Sequence, residues 1–266
     1  MRRIATALTA AALAATLGAC SQGGTPTGTP AAGDTAPIKD ISSLVKTAKT
    51  SMDEQKTVTV SFAGTGPIAQ LYASMKCEVD VEKTAMGCTG GPSEMVVTTD
   101  GIFMKSPQLA QLGGDPSKPW LKVPANDEMA QQFGELGKIG DFEAMLPAGS
   151  TITSTSEEQV DGKDTTRYEV TTDLQQASAN ASGAQQAGLK IMLDSGVTEL
   201  KQTVWVDSDG LPVKIDSTTP ALKFQGQEIP ESQLSMRYSD WGKPVQITVP
   251  PAEQVQDMPS IPGMPG

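Results

Sequence analysis

Apolar and polar residues alternate in many short segments of this chain, and a period of two is typical of half-buried β-strands. In 57–62, for example, Val58, Val60 and Phe62 fall on one face. Asp-Gly pairs, which favour tight hairpin turns, follow such segments at Asp100, Asp161 and Asp209. The pattern predicts a long antiparallel meander. Its strands are expected at 57–62, within 77–88 and 94–106, and at 120–123, 151–159, 165–172, 200–207, 211–217, 233–238 and 245–249.

Three segments have the apolar spacing of amphipathic helices instead. They are 38–55, a stretch around 128–146, and one between 173 and 196. Glycines at 134, 137 and 140 make a single continuous second helix less favourable. A sheet with a few helices packed on it indicates the α+β class.

The chain begins like an exported protein. Arg2 and Arg3 precede an uncharged stretch at 4–17. The small residues Gly18 and Ala19 and then Cys20 follow it, as at the cleavage site of an export signal. As a helix, fourteen residues span about 21 Å, less than the roughly 30 Å core of a bilayer, so 1–19 is predicted to be a cleaved signal. A small-residue site followed at once by Cys resembles the bacterial lipobox, which predicts lipidation of Cys20. The alternative is an ordinary secreted protein with an incidental cysteine.

Segments rich in Pro and Gly flank the predicted domain. Residues 21–37 consist mainly of Gly, Thr, Pro, Ala and Ser, so 20–37 is expected to be a lipidated Cys with a flexible linker. The Pro- and Gly-rich residues 250–266 are interpreted as a disordered tail. A single domain is expected at 38–249, long enough for a sizeable core.

Two further cysteines lie in neighbouring predicted strands. If Glu82 and Lys83 form the turn, Val79 faces Met86 and Cys77 faces Cys88. Directly opposed residues are close enough for a disulfide, and exported proteins retain disulfides. A Cys77–Cys88 bridge is therefore predicted. Two free thiols or a metal site are the alternatives.

Composition narrows the classes of function. The chain carries 20 Lys and Arg against 31 Asp and Glu, a formal charge of −11 that becomes −13 without Arg2 and Arg3. This charge argues against nucleic acid as a partner. The chain contains no His, which removes the commonest general base and imidazole metal sites, so neither an enzyme, a cofactor nor a bound metal is expected. The segment 207–210, Asp-Ser-Asp-Gly, is interpreted as a hairpin turn and not a calcium loop.

Several segments together resemble the actinobacterial envelope lipoproteins of the LppX/LprG type. They are VWVDSDGLPVKID (204–216), RYEVTTD (167–173), GIFMKSP (101–107), KPWLKVP (118–124) and YSDWGKPVQITVPPAEQV (238–255). The resemblance implies a LolA/LolB-like fold, in which helices cover the concave face of a strongly curved antiparallel half-barrel. It also implies an apolar cavity for acylated lipids or glycolipids.

The alternation supplies candidate residues for such a cavity, although most apolar stripes are ordinary core. The candidates are Val58, Val60, Phe62, Val79, Met86, Phe133, Leu136, Phe142, Met192, Val204, Val206, Val213 and Ile215. The sequence thus predicts a lipoprotein anchored on the extracytoplasmic face of the cell membrane. Its expected partners are lipid or glycolipid acyl chains, the membrane itself and an acceptor protein of the envelope. The alternative is an envelope sensor or scaffold with the same fold and a filled core.

Overall fold

The computed structural model describes residues 38–257, except 71, 73, 91–92, 108–114, 125–141 and 225. Within these ranges the helices are α1 (Ile41–Gln55), α2 (Pro67–Gln70), α3 (Phe142–Met145), α4 (Leu174–Asn180) and α5 (Gly183–Asp194). The strands are β1 (Thr57–Thr65), β2 (Lys76–Asp80), β3 (Ala85–Gly90), β4 (Ser93–Thr98), β5 (Gly101–Lys105), β6 (Trp120–Pro124), β7 (Ser150–Val160), β8 (Lys163–Asp173), β9 (Glu199–Asp207), β10 (Pro212–Thr219), β11 (Leu222–Phe224), β12 (Gln227–Ile229), β13 (Ser232–Ser239) and β14 (Val255–Asp257).

Twelve of the described strands form one sheet, in the order β14-β6-β5-β4-β3-β2-β1-β13-β10-β9-β8-β7. Strands β1 to β6 follow one another as an antiparallel meander, and β7 to β10 form a second meander that β13 completes. The antiparallel pairing of β1 with β13 joins the two. The predicted α+β class, a mostly antiparallel sheet with a few helices, is confirmed.

Helix α1 begins and ends at residues suited to those positions. The carboxylate of Asp40 accepts the backbone N–H of Ser43 at 2.8 Å, which caps the first turn. Lys56 adopts a left-handed conformation with φ 64° and donates its N–H to Met52. Leu44, Ala48 and Met52, spaced four residues apart, are buried. The helix predicted at 38–55 is thus present from residue 41.

The Asp-Gly pairs lie in hairpin turns as predicted. Between β7 and β8, Asp161 has φ 52° and Gly162 has φ 79°. A two-residue hairpin turn of type I′ requires a positive φ at both central residues, and glycine adopts a positive φ without a steric penalty. Val160 consequently pairs with Lys163 in the ladder.

The C-terminal part differs from the prediction. Residues 245–249 alternate like a strand, yet they form no strand and instead lie near the sheet, where the Gln246 N–H donates to the Glu78 carboxylate at 2.8 Å. The tail predicted at 250–266 is ordered in its first part: a 3-10 turn at Ala252–Gln254 leads into β14, which pairs in parallel with β6. The remaining nine residues lie outside the described ranges.

The helical region predicted between 173 and 196 is two helices. Asp173 caps α4 by accepting the N–H groups of Gln175 and Gln176, and α4 ends at Ala181 in an extended conformation. A new helix, α5, begins after Ser182. Of the helix predicted around 128–146, only α3 falls within the described residues; the signal, Cys20 and the linker fall outside them.

Candidate functional site

One face of the sheet is apolar over most of its width. We call the face that carries Val58 and Val60 the inner face, and the opposite face the outer face. The core cluster on the inner face also includes Leu44, Ala48 and Met52 of α1. Helix α1 therefore packs against the inner face.

The strand register places inner-face side chains in continuous rows across neighbouring strands. The first row contains Tyr238, Val60, Cys77, Cys88, Met95, Met104 and Leu121. The second contains Val58, Val79, Met86, Val97, Ile102 and Val123. A third row crosses the other meander and ends on β1; it contains Tyr168, Val204, Ile215, Met236 and Phe62. None of these residues is charged, so the three rows form a surface suited to hydrocarbon.

The predicted disulfide is confirmed. Cys77 and Cys88 are directly opposed, with a Cα–Cα distance of 4.0 Å and a bonded S–S distance of 2.04 Å. Val79 is opposed to Met86 two positions further along, as the predicted turn requires. The bridge lies within the first row and is buried. It therefore links β2 covalently to β3 within the core.

The structure brings most of the candidate cavity residues together. Nine of them belong to the core cluster on the inner face: Val58, Val60, Phe62, Val79, Met86, Phe142, Val204, Val206 and Ile215. Met192 instead packs in a separate cluster with Leu174, Ala177 and Leu189 of α4 and α5. Phe133 and Leu136 lie outside the described residues.

Val213 does not join the other strand candidates. It packs with Val160 and Trp205 in a cluster of its own, although alternation predicts that it shares a face with Ile215. The register shifts between Pro212 and Lys214, which indicates a β-bulge. A bulge places one extra residue in the strand and breaks the alternation locally, so Val213 points away from the row that contains Ile215.

The inner face differs in burial between its two parts. Beneath α1, Val58, Val60 and Cys77 have no exposed surface. On β4 and β5, Met95, Val97 and Met104 are only partly buried. These three are not among the cavity candidates predicted from the sequence, although the alternation in 94–106 could have identified them. They are the described inner-face residues on β4 and β5 that retain apolar surface.

Tyr238 is the polar group of the first row. Its side chain is 3% exposed and its hydroxyl donates to Sδ of Met145 on α3 at 3.2 Å. Burial raises the pKa of Tyr238 far above its ordinary value. The ring also stacks on Trp241 at 6.0 Å between centroids, and the Trp241 Nε1–H donates to the Pro212 carbonyl. These contacts fix Tyr238 and give Trp241 a packing role.

The outer face carries the charged side chains of the central strands and a groove of about 310 Å³. Trp120, Glu94, Lys76 and Ile247 are among the residues that line this groove. The Lys105 ammonium lies 5.6 Å from the Trp120 ring and 2.7 Å from the Glu94 carboxylate. The lining of the groove is therefore mixed polar and apolar, and it also includes Cys88 and Met95 of the first row.

Neither a metal centre nor a membrane span is found in the described ranges. The Asp207 carboxylate accepts the N–H groups of Asp209 and Leu211, so it stabilises the hairpin turn that the sequence predicts at 207–210. Across the described side chains, no three acidic or cysteine residues group as metal ligands would. In the same ranges, no helix has the length and apolar character needed to cross a membrane.

Among comparisons with known proteins, only the comparison with solved structures gives matches. No family model matches the sequence, and no curated protein matches it. Among solved structures, the lipoprotein LppX of Mycobacterium tuberculosis matches with 16% identity and a TM-score of 0.46, over 78% of this chain and 100% of LppX. LprF of Mycobacterium bovis matches with 17% identity and a TM-score of 0.41, over 80% and 99%. A LolA superfamily protein of Nitrosomonas europaea matches with 11% identity and a TM-score of 0.28, over 77% and 93%. This chain is thus similar in structure, at low sequence identity, to the mycobacterial lipoproteins LppX and LprF.

Proposed function

We propose that this protein is an extracytoplasmic lipoprotein that binds the acyl chains of a lipid or glycolipid and carries them within the cell envelope. In this proposal the sheet is a strongly curved half-barrel, and helices cover its concave inner face. The observation that carries the proposal is the continuity of uncharged side chains in three rows across the sheet. Acyl chains need apolar surface and no directional contacts, which these rows supply.

Strands β4 and β5 are the proposed contact site for acyl chains. Met95 and Met104 are directly opposed there and partly buried, and Val97 lies beside them. Methionine side chains are flexible and polarizable, so they adapt to chains of different shape. The segment 125–149 joins β6, near one edge of the sheet, to β7 at the other edge. Since α1 and α3 both pack into the core cluster on the inner face, these two helices are the described part of the proposed cover.

A variant that fills the proposed site tests the carrier function. A protein that begins at Ser21 is purified, its bound lipids are identified by mass spectrometry after solvent extraction, and uptake of a fluorescent fatty acid is titrated. Met104→Trp places a larger side chain on the inner face and should weaken uptake by about tenfold or more. Lys105→Trp, the neighbouring outer-face change on the same strand, should leave uptake unchanged. Absence of co-purified lipid together with no uptake by the parent protein would exclude the carrier function.

Anchoring is tested separately. We propose that the thiol of Cys20 receives a diacylglyceryl group and that the attached acyl chains hold the protein on the membrane. Cys20→Ala should release the protein into the soluble extracytoplasmic fraction, whereas Cys20 unmodified in a membrane-bound parent protein would contradict lipidation. Mass measurement of the N-terminal peptide identifies the modification directly.

A second candidate function is that of an envelope scaffold or sensor with a filled core. The observation that favours it is the tight packing beneath α1, where nine of the candidate residues join one buried cluster with the helix. The two functions predict different results in the same titration. A scaffold binds neither lipid nor fatty acid, and Met104→Trp then changes only its stability.

A further inference from the structure

The inner face is not apolar throughout. In the row adjacent to the third, Gln202 of β9 and Ser217 of β10 are directly opposed. Val170 lies beside Gln202 on β8, and Leu234 lies beside Ser217 on β13. Val170 belongs to the core cluster and Leu234 packs against it. Gln202 and Ser217 are therefore a polar pair inserted between apolar residues of the inner face.

The pair is partly exposed to solvent, and its polar groups make few hydrogen bonds within the protein. Both residues are partly buried. The Ser217 hydroxyl donates to the Leu234 carbonyl at 3.5 Å, which is long for a hydrogen bond. In the described part of the chain, the Gln202 amide makes no hydrogen bond, and Asp216 Oδ1 is the unpartnered side-chain atom that is fully buried. The Gln202 amide is therefore free to bind water or a ligand on the inner face.

The next row on this face is uncharged and mostly polar. One step further along the strands, the row contains Thr172, Leu200, Thr219 and Ser232. Strand alternation directs the neighbouring Lys201 and Asp216 to the outer face. An amide and a hydroxyl offer donors and acceptors without charge, so they suit hydroxyl or ester groups better than a phosphate.

From this juxtaposition we propose that Gln202 and Ser217 bind the uncharged headgroup of the lipid whose acyl chains occupy the inner face. This inference rests on the proposed function and specifies its ligand. Val204 lies two residues from Gln202, and Ile215 lies two residues from Ser217. Along a strand this is a distance of about 7 Å. A headgroup at the pair therefore places the start of each acyl chain directly on the third apolar row.

Competition between two soluble lipids tests the proposal. Dioctanoylglycerol and dioctanoyl phosphatidic acid carry the same acyl chains and differ only by the phosphate. Each is used to displace a fluorescent fatty acid from the protein that begins at Ser21. We expect dioctanoylglycerol to compete about tenfold better, because only its headgroup hydrogen-bonds without leaving a charge unpaired.

Variants assign the preference to the pair. Gln202→Leu combined with Ser217→Ala should abolish the preference while retaining uptake of the fatty acid. Thr203→Val combined with Thr218→Val changes the outer-face neighbours on the same strands and should preserve it. Equal competition by both lipids in the parent protein, or a preference that survives the first double variant, would overturn the inference. Failure to take up the fatty acid at all would instead reject the proposed function.

Discussion

The part of the inner face beneath α1 and the part on β4 and β5 follow the same alternation but differ in burial. Val60 and Cys77 have no exposed surface, and Leu44 of α1 packs in the same cluster. Met95 and Met104 extend the same row and are only partly buried. The comparison shows that alternation determines which face a side chain occupies, whereas the packing of other segments on that face determines how completely the side chain is buried.

The difference in burial indicates two roles within the first row, stabilisation of the fold and contact with a ligand. Fully buried side chains at close packing stabilise the fold, since each removed methylene group lowers the free energy of unfolding. Partly buried apolar side chains contribute less to stability and leave surface for a ligand. We therefore expect stability and lipid uptake to respond to substitutions in different parts of the row.

The largest expected effect is on stability beneath α1. Leu44→Ala removes a side chain with no exposed surface and should lower the free energy of unfolding by roughly 3 to 4 kcal/mol. Met95→Ala, in the partly buried part, should lower it by about 1 kcal/mol. Urea denaturation followed by circular dichroism measures both. Equal losses would show that the two parts of the inner face are packed alike.

The disulfide provides the next largest effect. Its loop spans 11 residues, so closing it reduces the conformational entropy of the unfolded chain and stabilises the fold by up to about 3 kcal/mol. Replacing Cys77 and Cys88 together by Ala should lower the urea midpoint accordingly, and uptake of the fluorescent fatty acid should persist. Loss of uptake at unchanged stability would instead assign the bridge to the ligand site.

Alkaline pH provides a smaller, graded test of burial. Burial raises the pKa of Tyr238, Tyr168 and Tyr72, so the folded protein retains phenolic protons that the unfolded chain loses above about pH 10. Stability is therefore complete below pH 10 and falls above it, by about 1.4 kcal/mol per pH unit for each fully buried tyrosine.

Tyr238→Phe should reduce the slope of stability against pH in this range. At neutral pH the same variant should cost little, because the lost hydrogen bond is to a thioether, which is a weak acceptor. Urea midpoints measured from pH 8 to pH 11.5 give both quantities. An unchanged alkaline slope in the variant would contradict burial of the Tyr238 hydroxyl.

The smallest expected effect lies at the turn between β2 and β3. The hydrogen bond from the Lys83 ammonium is the main cause that lowers the pKa of Asp80, whose side chain also accepts the Lys83 backbone N–H. This contribution is present above the ordinary pKa of 3.8 and is lost as the pH falls through the lower folded value.

Asp80→Asn should therefore lower the melting temperature by a few degrees at pH 7, with the difference shrinking in acid. Asp53→Asn, which removes one partner of an exposed pair with Lys49 on α1, should change little. Thermal melts at pH 7 and pH 3 measure both variants. A difference that persists unchanged at pH 3 would show that the Asp80 charge is not its cause.

Much of the local fold could be predicted from the sequence because its signals are short-range. The Cys77–Cys88 register follows from alternation and one turn, and Asp161-Gly162 forms its hairpin through backbone preferences of its own. The segment 245–249 shows the same alternation but forms no strand, and its Gln246 N–H donates to the Glu78 side chain. Periodicity alone does not distinguish these cases.

The candidate site was predicted less completely, since it depends on contacts between distant segments. The bulge that turns Val213 away leaves no mark in a run of alternating residues. Met95 and Met104 share the alternation of Val58 and Val60 but are less buried, a difference that alternation does not specify. Gln202 interrupts the apolar pattern in the sequence, but its partner Ser217 is identified only by the register of β9 and β10.

The pairing of β1 with β13 has a consequence for the order of folding. These two strands are separated by more than 160 residues of sequence, yet their contact joins the two meanders. Pairings at such long range are slow to form because the intervening chain must first be brought together. During synthesis, which proceeds from the N-terminus, β1 has one unpaired edge until 232–239 has followed. We therefore expect the nascent protein to be prone to aggregation at this edge, and to complete its sheet only after nearly the whole chain has been made.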